Sequence, residues 1–190
     1  MLLKYFVALM FTCCCMYAHS QTLADALGKK DTVLAAQIIN SGYNLDSVDQ
    51  SGTSLLMSQC RYGEDTLIPA FLMRHGARPD YPRSPKGRTA LIIACAYYGG
   101  IPLCSVLLSH GANINAVTND GVTALMLAAQ NEKADVVAYL LKMGANTTIK
   151  DKTGKTALNY ATGANLDADV IKMMKCCRAS KQECIDLLSK

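Results

Sequence analysis

His75, His110, the cysteines beyond residue 20 and the tripeptide Gly154-Lys155-Thr156 are the parts of this chain whose side chains could do chemistry. A histidine can move a proton near neutral pH, a thiolate can attack a carbonyl or bind zinc, and a glycine-lysine-threonine run can cradle phosphate. Each of these lacks its complement. His75 and His110 stand at equivalent places just before Gly76 and Gly111, where a helix ends. A positive or hydrogen-bonding side chain is favoured there, which accounts for both without a proton to move. The Cys and His spacings suit no zinc site, and no two cysteines form a CxxC pair. Gly154-Lys155-Thr156 has neither the first glycine of a phosphate loop nor a strand before it. The acidic residues show no paired constellation, so no catalytic residue, metal or cofactor is implied.

The elements that carry these residues form a repeating series. Gly87-Arg88-Thr89-Ala90-Leu91 stands 34 residues before Gly121-Val122-Thr123-Ala124-Leu125, and Gly154-Lys155-Thr156-Ala157-Leu158 follows 33 residues after it. A weaker copy, Gly52-Thr53-Ser54-Leu55-Leu56, lies 35 residues before Gly87. A second marker precedes each copy: Gly42, Gly76-Ala77, Gly111-Ala112-Asn113 and Gly144-Ala145-Asn146. Two markers with one period define a unit of about 33 residues, which cannot bury its own apolar face and is stable only in a stack. Within the Gly121 unit, Thr123 can cap a short helix carrying Ala124, Leu125, Leu127, Ala128 and Ala129. After Asn131-Glu132-Lys133 the pattern predicts a second helix from about Ala134 to Lys142, with Val136, Val137, Leu140 and Leu141 on one apolar stripe and Gly144 at its end.

These residues resemble the ankyrin repeat, whose pattern is a turn, Gly-x-Thr-Pro-Leu-His, an Ala-Ala pair, a second helix with Val-Val and Leu-Leu, and Gly-Ala-Asp/Asn. The resemblance covers essentially everything after residue 21 and is closest for the units opening at Gly87 and Gly121. It implies an all-α solenoid of stacked helix-turn-helix units with short β-hairpin-like turns. About five units result, at 21–49, 50–84, 85–118, 119–151 and 152–190. The family's Pro is replaced by Leu55, Ala90, Ala124 and Ala157, and its His by Met57, Ile92, Met126 and Asn159. Loss of a His that would bond backbone in the neighbouring turn implies weaker stitching between units. The first unit, with a short helix over Leu23 to Leu27 and a second bearing Leu34, Ile38 and Ile39, reads as a cap. The last keeps Val170, Ile171, Met173 and Met174, has Cys176-Cys177 where glycine is due, and continues with a capping-box pattern, Ser180-Lys181-Gln182-Glu183, for a closing helix to about Ser189.

Residues 1–20 place Lys4 before an uncharged apolar run, Tyr5 to Ala18, and Ala18-His19-Ser20 offers small residues to a signal peptidase. This predicts a secretory signal cut after Ser20. A membrane anchor is the alternative, but the run falls short of the ~20 residues that span a bilayer. Cys13-Cys14-Cys15 raise lipidation, for which Met10-Phe11-Thr12 is a poor match. Cleavage at Ser20 removes Lys4 and leaves 18 basic and 15 acidic side chains. That mild, scattered excess argues against a nucleic-acid footprint. Of the cysteines that remain, Cys60 and Cys95 fall where the repeat has its second alanine and read as small core residues. Cys184 lies near enough in sequence to Cys176 or Cys177 for a candidate disulfide, Cys177 to Cys184, that export would permit. Asn146-Thr147-Thr148 is formally a glycosylation sequon but sits in the repeat's usual Gly-Ala-Asn turn.

With packing accounting for the core, function is expected where the copies differ, on the concave face of first helices and turns. The positions expected to be exposed there are Thr53, Arg88, Val122 and Lys155 in the turns, and Met57, Arg61, Tyr62, Ile92, Tyr97, Tyr98, Met126, Gln130 and Asn131 along the helices. Tyrosine and arginine dominate binding energy at interfaces, so Arg61, Tyr62, Arg88, Tyr97, Tyr98 and Gln130 are the candidate partner-binding set. Tyr97 and Tyr98 could instead shape the turn before Gly99-Gly100. The turn Arg78 to Pro85, rich in proline, is a further candidate for a preorganised contact. The chain therefore reads as a non-catalytic, monomeric, exported binder of another protein, regulating or protecting it, with no stable membrane anchor once processed. Its likeness to bacterial versions of the repeat points to the periplasm or secretion. Other readings are a secreted effector or neutralising protein acting on a host or foreign protein, an enzyme or ligand binder framed by the solenoid, and a self-associating module.

Overall fold

The computed structural model describes residues 23–62, 65–81, 84–162, 168 and 171–172. A helical segment, α1, covers residues 23–28, and helical hairpins follow along the chain. They comprise α2 (Thr32–Asn40), α3 (Leu55–Tyr62), α4 (Leu67–Arg74), α5 (Ala90–Ala96), α6 (Ile101–Ser109), α7 (Ala124–Gln130), α8 (Ala134–Lys142) and α9 (Ala157–Thr162). The first helices α3, α5, α7 and α9 pack on one another in an inner row, and α4, α6 and α8 form an outer row. The core lies between the rows: Leu91 and Ile92 of α5, Leu125 and Met126 of α7, Leu103 and Leu107 of α6, and Val136 and Leu140 of α8 are buried. Small residues such as Ala94, Ala128 and Ala129 are wholly buried where the inner helices meet, which is what allows such short helices to approach one another closely.

The predicted cap is present: Thr123 Oγ1 accepts from the Met126 N–H at 3.2 Å. Thr89 and Ser54 accept in the same way from Ile92 and Met57. The α8 helix runs from Ala134 to Lys142 with Val136, Val137, Leu140 and Leu141 buried, as the pattern requires. In the first unit Leu34 is exposed, and Ala35 and Ile39 make the buried side of α2 instead.

Each inner helix is preceded by a turn, here called a finger, whose base is one oxygen-bearing side chain. The backbone N–H groups of Thr53, Arg88, Val122 and Lys155 donate to Asp49 Oδ1, Ser84 Oγ, Thr118 Oγ1 and Asp151 Oδ1, each four residues earlier. The same four base residues also receive a backbone bond from Gly52, Gly87, Gly121 and Gly154. Antiparallel bridges Val48 to Ser54 and Val117 to Thr123 are the hairpin-like part of these turns.

Neighbouring units are tied by side chains other than the absent histidine. Asp46 Oδ1, Asp80 Oδ2 and Asn115 Oδ1 accept from the backbone N–H of Arg78, Asn113 and Asn146 in the following unit, at 3.1, 2.8 and 2.8 Å. Asn119 reaches back to the Pro85 carbonyl through Nδ2, and its N–H donates to Lys86 O. Asn159, standing in the histidine position of the last unit, accepts from Thr156 N and Oγ1 of its own unit, both at 2.9 Å.

Candidate functional site

The α3 helix ends with Arg61 and Tyr62, and α5 ends at Tyr97, the residue that closes its last turn. The stacking of α3 on α5 therefore brings two helix C-termini together on the inner row. The Arg61 guanidinium lies 4.7 Å from the Tyr97 ring centroid and 5.3 Å from that of Tyr62. From the finger on the other side, Arg88 Nη1 donates to the Tyr97 hydroxyl at 3.4 Å. Tyr97 is half-buried between two cations drawn from neighbouring units, while Tyr62 and Tyr98 stand 73% and 72% exposed on either side. Cation–π contacts of this kind contribute about 0.5–1 kcal/mol at exposed sites, so they orient the rings more than they stabilise the fold.

Beside this cluster is a recess of about 220 Å³ lined by Lys86 and Arg88 of one finger, Asp120 and Val122 of the next, Leu127 and Gln130 of α7, and Tyr160 of α9. It is smaller than the roughly 300–1,000 Å³ of small-molecule sites and suits one or two side chains of a partner. Among the described residues, ion pairs within 4 Å are Lys30 with Asp65 and Arg78 with Asp46. Arg61, Lys86 and Arg88 thus have no carboxylate partner there.

One wall of the recess is held by charge. The Tyr160 hydroxyl donates to Asp151 Oδ2 at 2.7 Å, while Asp151 Oδ1 accepts from Thr153 N, Thr153 Oγ1 and Lys155 N. These bonds, that from Tyr160 foremost, hold the Asp151 carboxyl down to about 2. Burial, and then the same Asp151 bond, pushes Tyr160 up to about 12. A carboxylate with a depressed folded pKa stabilises above its unfolded value of about 4 and loses that contribution as pH falls through its folded value. Asp151→Asn is accordingly less stable than the wild type at pH 7, and the gap closes between about pH 4 and 2. Thermal melts at pH 7, 4, 3 and 2 check this; a gap that persists unchanged at pH 2 contradicts it.

The Tyr97 backbone is held by the next unit. Three carbonyls at the open end of α5, those of Ala94, Tyr97 and Gly99, accept from Lys133 Nζ. Asn131 Nδ2 donates to the carbonyls of Cys95 and Ala96. The last carbonyls of a helix have no partner within it, and a cation there also meets the negative end of the helix dipole. Tyr97 and Tyr98 thus project from a loop whose backbone is fixed from outside.

Of the expected binding set, Arg61, Tyr62, Arg88 and Tyr97 meet in one cluster, Gln130 joins it through the recess it shares with Arg88, and Tyr98 is adjacent in the chain and open to solvent. Tyr97 closes the last turn of α5 and stands half-buried beside Arg61 and Arg88. Three positions expected to be exposed are core: Met57, Ile92 and Met126 are 2%, 0% and 1% exposed. They are the third residues of their helices, whose side chains lean back over the preceding turn and away from the face. Met126 Sδ even accepts from the Thr123 N–H at 3.4 Å, closing the cap.

Tyr160 was missed, although a signal existed. Counting by the repeat aligns it with Ser58, Ile93 and Leu127, and Leu127 lines the same recess. His75 and His110 are helix caps: His75 lies against the Phe71 ring at 4.4 Å, and His110 Nδ1 is 2.8 Å from the Val106 carbonyl. Arg78 of the proline-rich turn stacks on Tyr81 at 4.1 Å and bonds Asp46. Among the described residues no three His, Cys, Asp or Glu side chains could hold a metal, and no helix is long and apolar enough to cross a membrane. The proposed signal, Cys177 and Cys184 lie outside the described residues.

A family model for ankyrin repeats, three copies long, matches residues 23–118 and 96–184. The chain belongs to the ankyrin-repeat family. Its relatives include an ankyrin repeat-containing protein of Treponema pallidum, 32% identical over 123 residues that make up 65% of this chain and 41% of that protein. Mouse BCL-6 corepressor-like protein 1 is 31% identical over 61% of this chain and 6% of its own length. The Drosophila melanogaster Neurogenic locus Notch protein is 36% identical over 44% of the chain and 4% of its own. This chain therefore spans less than half the length of these relatives. Ankyrin repeats are general protein–protein interaction modules, typically without catalysis.

Proposed function

We propose that this ankyrin-repeat chain is an exported protein that binds another protein through the face made by its inner helices and fingers. The observation that carries the reading is the Arg61–Tyr97–Arg88 stack beside a recess sized for side chains, flanked by exposed Tyr62 and Tyr98. Large aromatic and guanidinium groups held in place before binding lose little entropy on contact, and such residues dominate measured interface energies. With Arg61, Lys86 and Arg88 lacking carboxylate partners among the described residues, the partner segment is one that brings an acidic side chain to the cluster and an apolar one to the recess. Export is supported by Lys4, the apolar run Tyr5 to Ala18 and the small residues at Ala18 and Ser20.

The test begins with the full chain, tagged at its C-terminus and recovered from the extracytoplasmic fraction of its own cells, where the mature protein should start at Gln21. The captured partner is then purified and its affinity measured for the wild type, for Arg61→Ala/Tyr62→Ala/Tyr98→Ala, and for Lys142→Ala on the outer row. The triple variant should bind about 30–100-fold more weakly with an unchanged circular dichroism spectrum, and Lys142→Ala should bind normally. Equal affinity of the triple variant would place the interface elsewhere. Recovery solely from the cytoplasm, starting at Met1, would remove export.

A further inference from the structure

The loop that presents Tyr97 and Tyr98 is bracketed by two cysteines. Cys95 is near the end of α5 and Cys104 is in α6, nine residues on, and their Sγ atoms lie 3.9 Å apart with both residues 0% exposed. We propose that Cys95 and Cys104 are a disulfide site, so that oxidation covalently closes the helical hairpin at the base of the tyrosine loop. A disulfide needs sulfurs about 2.05 Å apart, so each must move by roughly 1 Å. The third buried thiol, Cys60, makes no thiol hydrogen bond among the described residues. Burial pushes it up to about 12, leaving it a neutral core residue.

The two thiols lie within hydrogen-bonding reach of each other, and either can be the donor. One of them, as the thiolate, displaces one thiolate from a donor disulfide, such as oxidised glutathione or the disulfide of a thiol oxidoreductase, and forms a mixed disulfide. The other, deprotonated in turn, attacks the protein sulfur of that mixed disulfide and expels the second donor thiolate. The protein loses two protons and two electrons, and the donor is reduced to two thiols. With neither sulfur exposed, the exchange takes place while α6 is undocked, during folding or an opening of the hairpin. The finished bridge is shielded by the same core.

Two properties mark this pair as a site. Both cysteines belong to one hairpin, so closure requires no movement between units. The aligned positions in the next unit are Ala129 and Val137, so Cys95→Ala and Cys104→Val import residues already compatible with this packing.

The full chain, with Cys13, Cys14, Cys15, Cys176, Cys177 and Cys184 replaced by serine to prevent scrambling, is unfolded under reducing conditions and refolded in a mixture of oxidised and reduced glutathione. Free thiols are alkylated, and the digest is read by mass spectrometry. The expected product is a Cys95–Cys104 cross-linked peptide lacking two hydrogens, with Cys60 recovered alkylated. Its denaturation midpoint falls on adding dithiothreitol, whereas the midpoints of Cys95→Ala and Cys104→Val do not respond. Recovery of both cysteines as free thiols from oxidatively refolded protein, or pairing of either with Cys60, would overturn the proposal.

Discussion

Gly87→Ala destabilises the chain by about 3 kcal/mol, while Gly154→Ala, at the same place in a different finger, costs about 1 kcal/mol. The two glycines have nearly the same backbone, φ +73° and +82°, so the left-handed penalty of roughly 1–2 kcal/mol is common to both. Their surroundings differ. A Cβ on Gly87 would stand 2.3 Å from Asn119 Oδ1 and 2.7 Å from Asn119 N, whereas one on Gly154 meets nothing within 4 Å among the described residues. Asn119 is the residue that ties the second finger to the third through the carbonyls of Pro85 and Lys86. Displacing it forfeits two hydrogen bonds of about 1 kcal/mol each. Urea denaturation of the two variants checks this, and equal midpoints would show that the close approach at Gly87 is accommodated without loss.

The second large effect is expected at Lys133, a residue that repeat matching would pass over as a solvated turn lysine. Lys133→Met removes the ammonium from the carbonyls of Ala94, Tyr97 and Gly99, of which Ala94 and Gly99 belong to buried residues. Burying acceptors without a donor costs about 1–3 kcal/mol, and the methionine stem preserves the packing of the lysine methylenes, so a loss of about 2 kcal/mol isolates the polar part. Asn131→Ala, which withdraws the donor to Cys95 and Ala96, costs about 1 kcal/mol by the same reasoning. Chemical denaturation measures both. A Lys133→Met protein as stable as the wild type would mean that water serves those carbonyls equally well. Because the same contacts hold the Tyr97 backbone, Lys133→Met also weakens binding at a face it does not itself line, linking a stability residue to the proposed interface.

How far the sequence could be read depended on whether a feature was local. Thr123 capping α7, the span Ala134–Lys142 and the buried stripe of α8 were legible because capping and 3.6-residue periodicity act within one or two turns. The exposure of Met57, Ile92 and Met126 was misjudged because a repeat pattern marks these positions as variable, and variable positions were equated with open ones. The lean of a helical side chain toward the N-terminus decides otherwise. Leu34 is exposed for a related reason: an apolar residue in a terminal unit has no neighbour on one side to cover it. Tyr160 could have been found by counting from Leu127, since a position that faces the recess in one unit faces it in the next.

The sequence by itself determined the unit, its period of about 33 residues, the hairpin within it and the stacking that such a unit must undergo, because one copy cannot cover its own apolar face. It also narrowed the candidate face to residues that include Arg61, Arg88 and Tyr97. Only the tertiary structure decided that these three meet, that Lys133 and Asn131 close the end of α5, and that the sulfurs of Cys95 and Cys104 touch. Arg61 and Tyr97 are 36 residues apart, Tyr97 and Lys133 another 36, and Cys95 and Cys104 sit on antiparallel helices. Such meetings follow from the register in which one unit settles on the next and one helix on its partner. That register is set by the summed packing of many small side chains, and no single stretch of sequence encodes it.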